Sequence, residues 1–209
     1  MKVTIIGAGK MGRGIGTRAL AGGHEVEIFD RDAAEAQKLA GELGGSATAL
    51  APGVPFGGEI VVFAVYYPGI KDAVREYADQ LGGKVVVDIT NPVNTETWDS
   101  LATPPGTSSA EEVQQIVPPG TPVVKAFNTT FANTLVEGEV AGQKLDVLIA
   151  GDDEEAKRKV SQLVADSGQR PIDAGPLRRA QELEHLGLLH ISLQQPLGLG
   201  FGSAVKLHP

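Results

Sequence analysis

Short apolar runs alternate along the chain with segments in which apolar residues recur three and four positions apart. The first pattern is typical of buried strands, and the second is typical of helices that bury one face. The predicted strands are residues 2–6, 25–29, 46–50, 59–66, 84–89, 122–128, 145–150 and 170–173. The predicted helices are residues 11–19, 36–43, 70–81, 109–116, 154–164 and 178–193. Apart from its one short helix, the segment 93–122 is rich in Thr, Ser, Pro and Gly, which predicts a long surface connection.

A glycine-rich turn with the sequence GAGKMG directly follows the first predicted strand and opens a helix. In this Gly-x-Gly-x-x-Gly pattern, Gly7 permits a tight turn, Gly9 lets the backbone approach a pyrophosphate, and Gly12 lets the helix pack against the strand. Unpaired amides and the positive end of the helix dipole then bind the diphosphate. The second strand ends at Asp30, about 20 residues further on, where a carboxylate binds the ribose hydroxyls of adenosine. This context predicts a dinucleotide-binding site.

Strands and helices alternate, which indicates right-handed crossovers and a parallel sheet with helices on both faces. A chain of 209 residues fits one sizeable α/β domain, or a dinucleotide-binding domain with a modest extension. We therefore predict an α/β fold, a Rossmann-type doubly wound parallel sheet with a small C-terminal α/β extension. Residues 1–130 are predicted to form the dinucleotide-binding domain. Residues 131–209 are predicted to pack on the same sheet and to close the substrate pocket.

Ligands of such sheets lie beyond the carboxyl ends of the strands, so Gly7, Asp30, Tyr66 and Asn91 are expected to converge there. Tyr66 and its neighbour Tyr67 are the best candidates for contact with a substrate, although packing at a strand end explains them equally well.

The composition narrows the functional classes. The net charge of −8, without any basic cluster, argues against a nucleic-acid partner. No apolar run approaches the ~20 residues that a bilayer span requires, and the chain enters a strand at once rather than a signal peptide, so we expect a cytoplasmic protein without a membrane partner. The absence of cysteine excludes disulfides, thiolate metal sites and a cysteine nucleophile, and the four histidines lack metal-ligand spacing. Redox chemistry would therefore depend on bound cofactors.

Five segments resemble those of the deazaflavin (coenzyme F420)-dependent NADP oxidoreductases, in which NADP(H) and the deazaflavin exchange a hydride directly. They are IIGAGKMG, VVVDITNP, VVKAFNT, VLIAGDD and RPIDAGPL, and their order and spacing cover nearly the whole chain. The resemblance implies an NAD(P)-dependent oxidoreductase that forms a homodimer and has small-molecule cofactors as its other partners. The cytosolic domains of membrane metalloreductases share this module, so the resemblance identifies the scaffold better than the electron acceptor.

The resemblance also implies which residues form the site. The cofactor-binding residues would be Gly7, Gly9, Lys10, Met11, Gly12, Asp30, Arg31, Ala64, Val65, Tyr66, Thr90, Asn91 and Pro92. The pocket in which the second substrate stacks would contain Tyr67, Phe127 and Asn128, and the C-terminal helix and tail would close it. We assign no catalytic acid or base and no metal ligand, because hydride transfer between two cofactors needs alignment and exclusion of water more than it needs a proton donor.

The pair Asp30-Arg31 departs from the family pattern, in which a small hydroxyl residue precedes the arginine. A carboxylate close to the ribose suits the hydroxyl pair of NAD and repels the 2′-phosphate of NADP. Arg31, in contrast, can bind that phosphate or stack on adenine. The sequence leaves the choice between NAD and NADP open.

Other functions remain as alternatives. A β-hydroxyacid dehydrogenase or an imine reductase uses the same N-terminal module but adds a large helical domain, for which this chain has no room. A ferric or flavin reductase, or a reductase of a small organic substrate, would differ only in the acceptor beside the nicotinamide. A non-catalytic dinucleotide sensor would keep the glycines and Asp30 and would reduce no acceptor.

Two features beyond the motif have open interpretations. Lys125, within VVKAF, is either a catalytic amine or a lysine inside or at the edge of a strand. The second half of the last helix is apolar on nearly every side, which predicts that this end is buried against something.

Overall fold

The structure, a computed structural model, describes residues 1–208, and Pro209 lies outside the described residues. The strands are β1 (Lys2–Ile6), β2 (Glu25–Phe29), β3 (Ala47–Ala49), β4 (Ile60–Phe63), β5 (Val85–Asp88), β6 (Val123–Lys125), β7 (Glu139–Val140), β8 (Gln143–Lys144), β9 (Asp146–Gly151) and β10 (Arg170–Gly175). The helices are α1 (Lys10–Ala21), α2 (Ala33–Leu43), α3 (Tyr67–Glu76), α4 (Ser109–Gln114), α5 (Ala132–Glu137), α6 (Glu154–Asp166) and α7 (Ala180–Ser192).

Eight strands form one sheet in the order β10-β9-β6-β5-β4-β1-β2-β3, and β7 and β8 form a separate hairpin. Strands β1 to β6 run parallel to one another. The order of the strands reverses at β1, because β2 lies on one side of it and β4 on the other. Ligands of doubly wound sheets bind at such a switch point. The predicted α/β class is confirmed, and the site is expected where β1 and β4 end.

The predicted parallel arrangement is confirmed for β1 to β6, and the last two strands of the sheet depart from it. Strand β9 runs antiparallel to β6, and β10 runs parallel to β9. Parallel neighbours need a helical crossover, and α6 supplies one between β9 and β10. The connection from β6 to β9 contains instead a short helix and a hairpin. Apolar runs do not encode strand direction, so the sequence pattern did not reveal this reversal.

Several predicted boundaries also need correction. The predicted strand 59–66 ends at Phe63, and Tyr67 already lies in the first turn of α3, with a proline at its start. The predicted strand 122–128 ends at Lys125, because Phe127 has a positive φ of 62°, which a strand cannot accommodate. Helix α5 and the hairpin were not predicted, since each is too short for a clear period. The division of the chain after residue 130 stays a prediction.

Apolar side chains cover both faces of the sheet. Helices α1, α2 and α6 pack on one face through residues such as Ile15, Leu39 and Val160. Helices α3 and α4 pack on the other face through Ile70 and Val113. This double cover explains why the central strands are apolar at successive positions.

The apolar end of α7 is only partly buried within the chain, so its predicted burial stays a prediction. Leu189 is 55% exposed and Leu193 is 40% exposed, whereas Gly187 and His190 face the protein. A helix that packs on one side only must leave its opposite side exposed, whatever residues stand there.

Among the described residues, no helix has both the length and the apolar character that crossing a membrane requires.

The C-terminal residues are attached to the sheet through Asp146 at the start of β9. Its side chain is 1% exposed and accepts hydrogen bonds from Arg170 Nε at 2.8 Å, Lys206 Nζ at 2.6 Å and the Leu207 amide at 2.9 Å. Burial by itself raises the pKa of Asp146, but these donors outweigh burial and hold the pKa far below its usual range.

We therefore expect Asp146→Asn to lower the free energy of unfolding at pH 7 by about 1–3 kcal/mol. Because the folded pKa lies below the unfolded one, the stabilisation is present above about pH 4 and is lost as the pH falls. Chemical denaturation at several pH values from 7 to 3 should show that the difference in unfolding free energy between wild type and variant is constant down to about pH 4 and smaller at pH 3. Asp79→Asn removes an exposed carboxylate and serves as the control. An equal effect of both variants would contradict the prediction.

Candidate functional site

The glycine-rich turn joins β1, β4 and α1 at the switch point. Gly7 has a φ of 115°, and a Cβ built on it would overlap the carbonyl oxygen of Ala64. A Cβ on Gly12 would overlap the carbonyl oxygen of Gly7. A Cβ on Gly9, in contrast, would have no heavy atom within 4 Å. Gly7 and Gly12 therefore allow β1, β4 and α1 to pack closely, and Gly9 leaves the backbone accessible to a ligand.

The first turn of α1 presents backbone amides without side-chain competition. Gly9 is the N-cap, and no side chain caps the helix there. The Arg13 amide is the first to donate into the helix, to the Gly9 carbonyl at 3.0 Å. The amides of Lys10, Met11 and Gly12 precede it and have no intrahelical acceptor. An uncapped helix start beside an open glycine fits the diphosphate of a dinucleotide.

Asp30 supports the glycine turn directly. One carboxylate oxygen accepts a hydrogen bond from the Ala8 amide at 2.8 Å, and the other accepts one from the Asp32 amide at 3.0 Å. The Gly7 amide donates to the Phe29 carbonyl at 2.8 Å. The predicted ribose contact of Asp30 thus coexists with a structural role that the sequence did not suggest. The neighbouring Arg31 is exposed.

An aromatic cluster lies beside Asp30 and Arg31. The rings of Phe29, Phe56 and Tyr77 contact one another with centroids 5.1–5.5 Å apart. Burial, followed by a hydrogen bond to Glu76, raises the pKa of Tyr77 to about 12, and the positive charge of Arg31 opposes the rise. Sequence reasoning missed this cluster because its members come from three segments without a shared pattern. It forms an apolar wall next to the predicted adenosine site.

Two tyrosines follow β4, of which one is exposed and the other is hydrogen-bonded within the chain. The Ala64 amide continues the sheet by donating to the Ile6 carbonyl at 2.8 Å. The Tyr66 side chain is 91% exposed. Tyr67 donates to Glu112 Oε2 at 2.8 Å, and burial, reinforced by this carboxylate, raises the pKa of its phenol. Tyr66 is therefore free to contact a ligand, while Tyr67 ties α3 to α4.

Asn91 and Asn128 follow neighbouring strands, and their side chains meet. Asn91 Nδ2 donates to the Asn128 carbonyl at 2.7 Å, and Asn128 Nδ2 donates to Asn91 Oδ1 at 2.9 Å. The structure thus brings together two residues that the resemblance assigns to one site. Phe127 and Asn128 are only 2% and 3% exposed. The described chain therefore presents them as support beneath the surface, and their contact with a second substrate stays a prediction.

Helix α7 packs against this pair of asparagines. Asn128 Nδ2 also donates to the Leu183 carbonyl at 2.8 Å. A Cβ on Gly187 would overlap Asn91 Oδ1, so any larger residue here would require the Asn91 side chain to move. The one available signal in the sequence was a glycine inside a helical pattern, which lowers helix stability and often has a packing reason.

Lys125 is a fully buried ammonium rather than a free amine. Its Nζ donates to Asp88 Oδ2 at 3.0 Å, to the Thr90 carbonyl at 2.6 Å and to Glu184 Oε1 at 2.7 Å. These three bonds use all its protons, which leaves no lone pair for nucleophilic chemistry. Sequence reasoning missed Asp88 and Glu184, because each lies within an otherwise ordinary strand or helix pattern.

Together these residues offer surroundings that suit an anionic, elongated ligand. Within residues 1–208, no group of three or more His, Cys, Asp or Glu side chains is arranged to bind a metal. Backbone amides at α1, the exposed guanidinium of Arg31 and the turns after β4 and β5 all lie at the same sheet edge, beyond the carboxyl ends of the strands.

Comparison with known proteins agrees with this arrangement. Residues 2–92 match the family model described as NADP oxidoreductase, coenzyme F420-dependent. The chain is 33% identical over 187 residues to metalloreductase STEAP3 of Rattus norvegicus, covering 90% of this chain and 36% of that protein. It is 32% identical over 140 residues to the F420-dependent NADP reductase of Methanocaldococcus jannaschii, covering 65% of this chain and 62% of the relative. The chain thus spans less than two thirds of either relative.

A solved structure extends the match to nearly the full length. A crystal structure described as a putative F420-dependent NADP-reductase from Arthrobacter sp. FB24 superposes with a TM-score of 0.83 at 30% identity, covering 95% of both chains. The glycine turn, the mostly parallel sheet and this full-length similarity agree, and the chain belongs to the family of coenzyme F420-dependent NADP oxidoreductases.

Proposed function

We propose that the protein transfers a hydride between NADP(H) and a deazaflavin of the coenzyme F420 type. The observation that carries the proposal is the uncapped start of α1, with its open glycine, at the switch point of the sheet. Over 95% of its length the chain superposes on a structure described as a putative F420-dependent NADP-reductase, which supports the proposal. When bound, the nicotinamide supplies the hydride, and the deazaflavin accepts it together with a proton from solvent.

In this proposal the chain binds and aligns its ligands. The amides of Lys10, Met11 and Gly12 would hold the diphosphate, because they have no intrahelical acceptor. Tyr66, exposed at the end of β4, would contact the nicotinamide half, and the Thr90–Pro92 turn would lie beside the ring. None of these roles requires a titrating side chain, so the rate depends mainly on distance and on exclusion of water.

The structure favours NADP over NAD as the partner of this site. The Asp30 carboxylate already accepts two backbone hydrogen bonds, which reduces the negative charge available to repel a 2′-phosphate. The Arg31 guanidinium is exposed at the same strand end, where it can pair with that phosphate through two hydrogen bonds.

Asp30→Ser is expected to have two separable effects. The preference for NADP over NAD should rise, because a carboxylate that repels the 2′-phosphate is lost. Binding of both cofactors should weaken by up to about tenfold, because the Ala8 amide loses its acceptor. Calorimetric titration with NADPH and NADH measures both effects. An unchanged ratio of the two affinities would rule out Asp30 as a selector.

The acceptor is tested by an absorbance time course with purified protein. NADPH and NADH are each mixed with the oxidised deazaflavin, and parallel reactions contain a flavin or a ferric chelate. Loss of the deazaflavin band with NADPH would support the proposal. Turnover with the flavin or the ferric chelate alone would favour the alternative acceptors that the similarity to a metalloreductase raises. Saturable NADPH binding with no turnover of any acceptor would contradict the proposal and favour a sensor.

We further propose that the protein is a homodimer formed through the exposed side of α7 and the following tail. This surface contains the exposed apolar residues Leu189, Leu193, Leu197, Leu199 and Phe201. These residues fall within one stretch of 13 residues, and exposed apolar surface commonly marks an association site. Sedimentation velocity should give twice the chain mass, and Leu189→Glu should shift the equilibrium toward the monomer. A monomer at micromolar wild-type concentration would contradict the proposal.

A further inference from the structure

Three charged side chains meet beneath the turn that follows β5. Asp88 ends β5, Lys125 ends β6 beside it, and Glu184 comes from α7. All three side chains are 0% exposed. The Lys125 ammonium lies 3.0 Å from the Asp88 carboxylate and 2.7 Å from the Glu184 carboxylate. We call these three residues the buried ion network.

The buried ion network holds the backbone of Thr90 on both sides. The Thr90 amide donates to Asp88 Oδ1 at 2.8 Å, and the Thr90 carbonyl accepts from Lys125 Nζ at 2.6 Å. The Thr90 hydroxyl donates to Ser109 Oγ at 2.7 Å, and the Ser109 amide in turn donates to Glu184 at 3.0 Å. Thr90 therefore has its amide, carbonyl and hydroxyl all fixed by this network and its neighbour.

Stability alone does not explain the buried ion network. Two carboxylates face one ammonium, which leaves one surplus negative charge in the interior. Burial raises the pKa of Glu184, the Lys125 ammonium opposes that rise, and the Asp88 carboxylate adds to it. Apolar side chains of similar volume often serve a protein interior as well as buried ions do or better. Apolar side chains, however, cannot form hydrogen bonds that hold a backbone amide and a carbonyl in one orientation.

We propose that Lys125 and Glu184 are positioning residues, which with Asp88 fix the Thr90–Pro92 turn and so make α7 part of the geometry of the hydride-transfer site. The inference rests on the proposed function, which places this turn beside the nicotinamide. Asn91 follows Thr90 directly and is itself held by Asn128 and Gly187. A displacement of about 1 Å between reacting groups can lower a rate about a hundredfold.

The main test is the double variant Lys125→Met/Glu184→Gln. It keeps one negative charge in the interior, as in the wild type, but removes the bond to the Thr90 carbonyl. The kcat for deazaflavin reduction should fall at least about tenfold. The KM for NADPH should stay within about threefold, because the amides of α1 that would hold the diphosphate are unchanged.

A matched control exists on the other face of the sheet. Lys157 on α6 is 6% exposed and pairs with Glu154 and Asp173, each at 2.9 Å. Lys157→Met/Glu154→Gln applies the same two substitutions to a network that does not touch the Thr90–Pro92 turn. Its kcat and KM should match the wild type. An equal loss of kcat in both double variants, or a loss confined to KM, would overturn the proposal.

Two single variants keep the proposal testable if the main variant does not fold. Glu184→Ala removes the link to α7 and leaves Asp88 and Lys125 as a balanced pair. It should lower kcat at least about fivefold, since the turn loses its link to the helix. Glu184→Gln keeps an acceptor for Lys125 and should restore most of that loss. Equal kcat values in these two variants would overturn the proposal.

A failure of the proposed function is distinguishable from a failure of this inference. If the proposed function is wrong, the wild-type protein will bind NADPH but will not reduce the deazaflavin. The inference is then decided by hydrogen exchange of the NADP-bound protein. In the main variant, the amides of Thr90, Asn91 and Val93 should exchange at least about fivefold faster, while residues 7–12 keep their protection. Unchanged exchange of the Thr90, Asn91 and Val93 amides would overturn the inference.

Discussion

Gly12→Ala is expected to lower the affinity for NADPH at least about a hundredfold, or about 2.7 kcal/mol. The added Cβ would overlap the Gly7 carbonyl oxygen, which is backbone and cannot rotate away. Relief requires α1 to move from β1, and the amides that would hold the diphosphate move with it. Isothermal titration calorimetry with NADPH measures the loss, and circular dichroism confirms that the variant is folded.

Gly41→Ala is the matched control for this substitution. Gly41 lies within α2, and a Cβ there would have no heavy atom within 4 Å. The variant should bind NADPH normally and gain about 0.5–1 kcal/mol of stability, because alanine favours a helix over glycine. Normal NADPH affinity in a folded Gly12→Ala protein would show that the diphosphate does not bind at α1.

Arg31→Ala is expected to raise the KM for NADPH about a hundredfold and to leave the KM for NADH within about threefold. The two cofactors differ only in the 2′-phosphate, so a selective effect identifies the group that pairs with it. Steady-state kinetics with each cofactor, at fixed low ionic strength, gives both values. The effect on NADPH should diminish as salt is added, because the site is exposed.

Arg158→Ala controls for the change in net charge, since Arg158 is an exposed arginine on α6. Its effect on either cofactor should stay below about twofold, because Arg158 pairs with Glu155 on the surface of α6 and an exposed ion pair contributes little. Equal losses for NADPH and NADH in Arg31→Ala would mean that Arg31 stacks on adenine. No loss with either cofactor would contradict any contact between Arg31 and the ligand.

Much of the fold could be predicted because its signals are local. Each central strand carries successive apolar residues that fill both faces of the sheet, and each long helix shows its own period. The glycine turn was predictable for the same reason, because Gly7, Gly9 and Gly12 act on neighbouring backbone. Conversely, α5 and the β7–β8 hairpin have only a few residues each, so no period distinguishes them from a loop.

The roles of individual polar residues were harder to predict. Asp30 was expected to bind ribose, and the structure adds that its carboxylate supports the Ala8 amide. Lys125 had two open interpretations, and only its distances to Asp88 and Glu184 placed it in a buried ion network. These partners are 37 and 59 residues away along the chain, and no spacing in the sequence relates them.

The amino-acid sequence by itself determined the α/β class, the position of the glycine turn and the sheet edge at which a dinucleotide would bind. These properties follow from patterns within a few turns of helix or a few residues of strand. Only the tertiary structure decided the reversed direction of β9 and β10, the contact of α7 with Asn91 through Gly187, and the fixing of Thr90 by buried charges. Each of these depends on which distant segments become neighbours, because ion pairs and close packing act over a few ångströms in space and not along the chain.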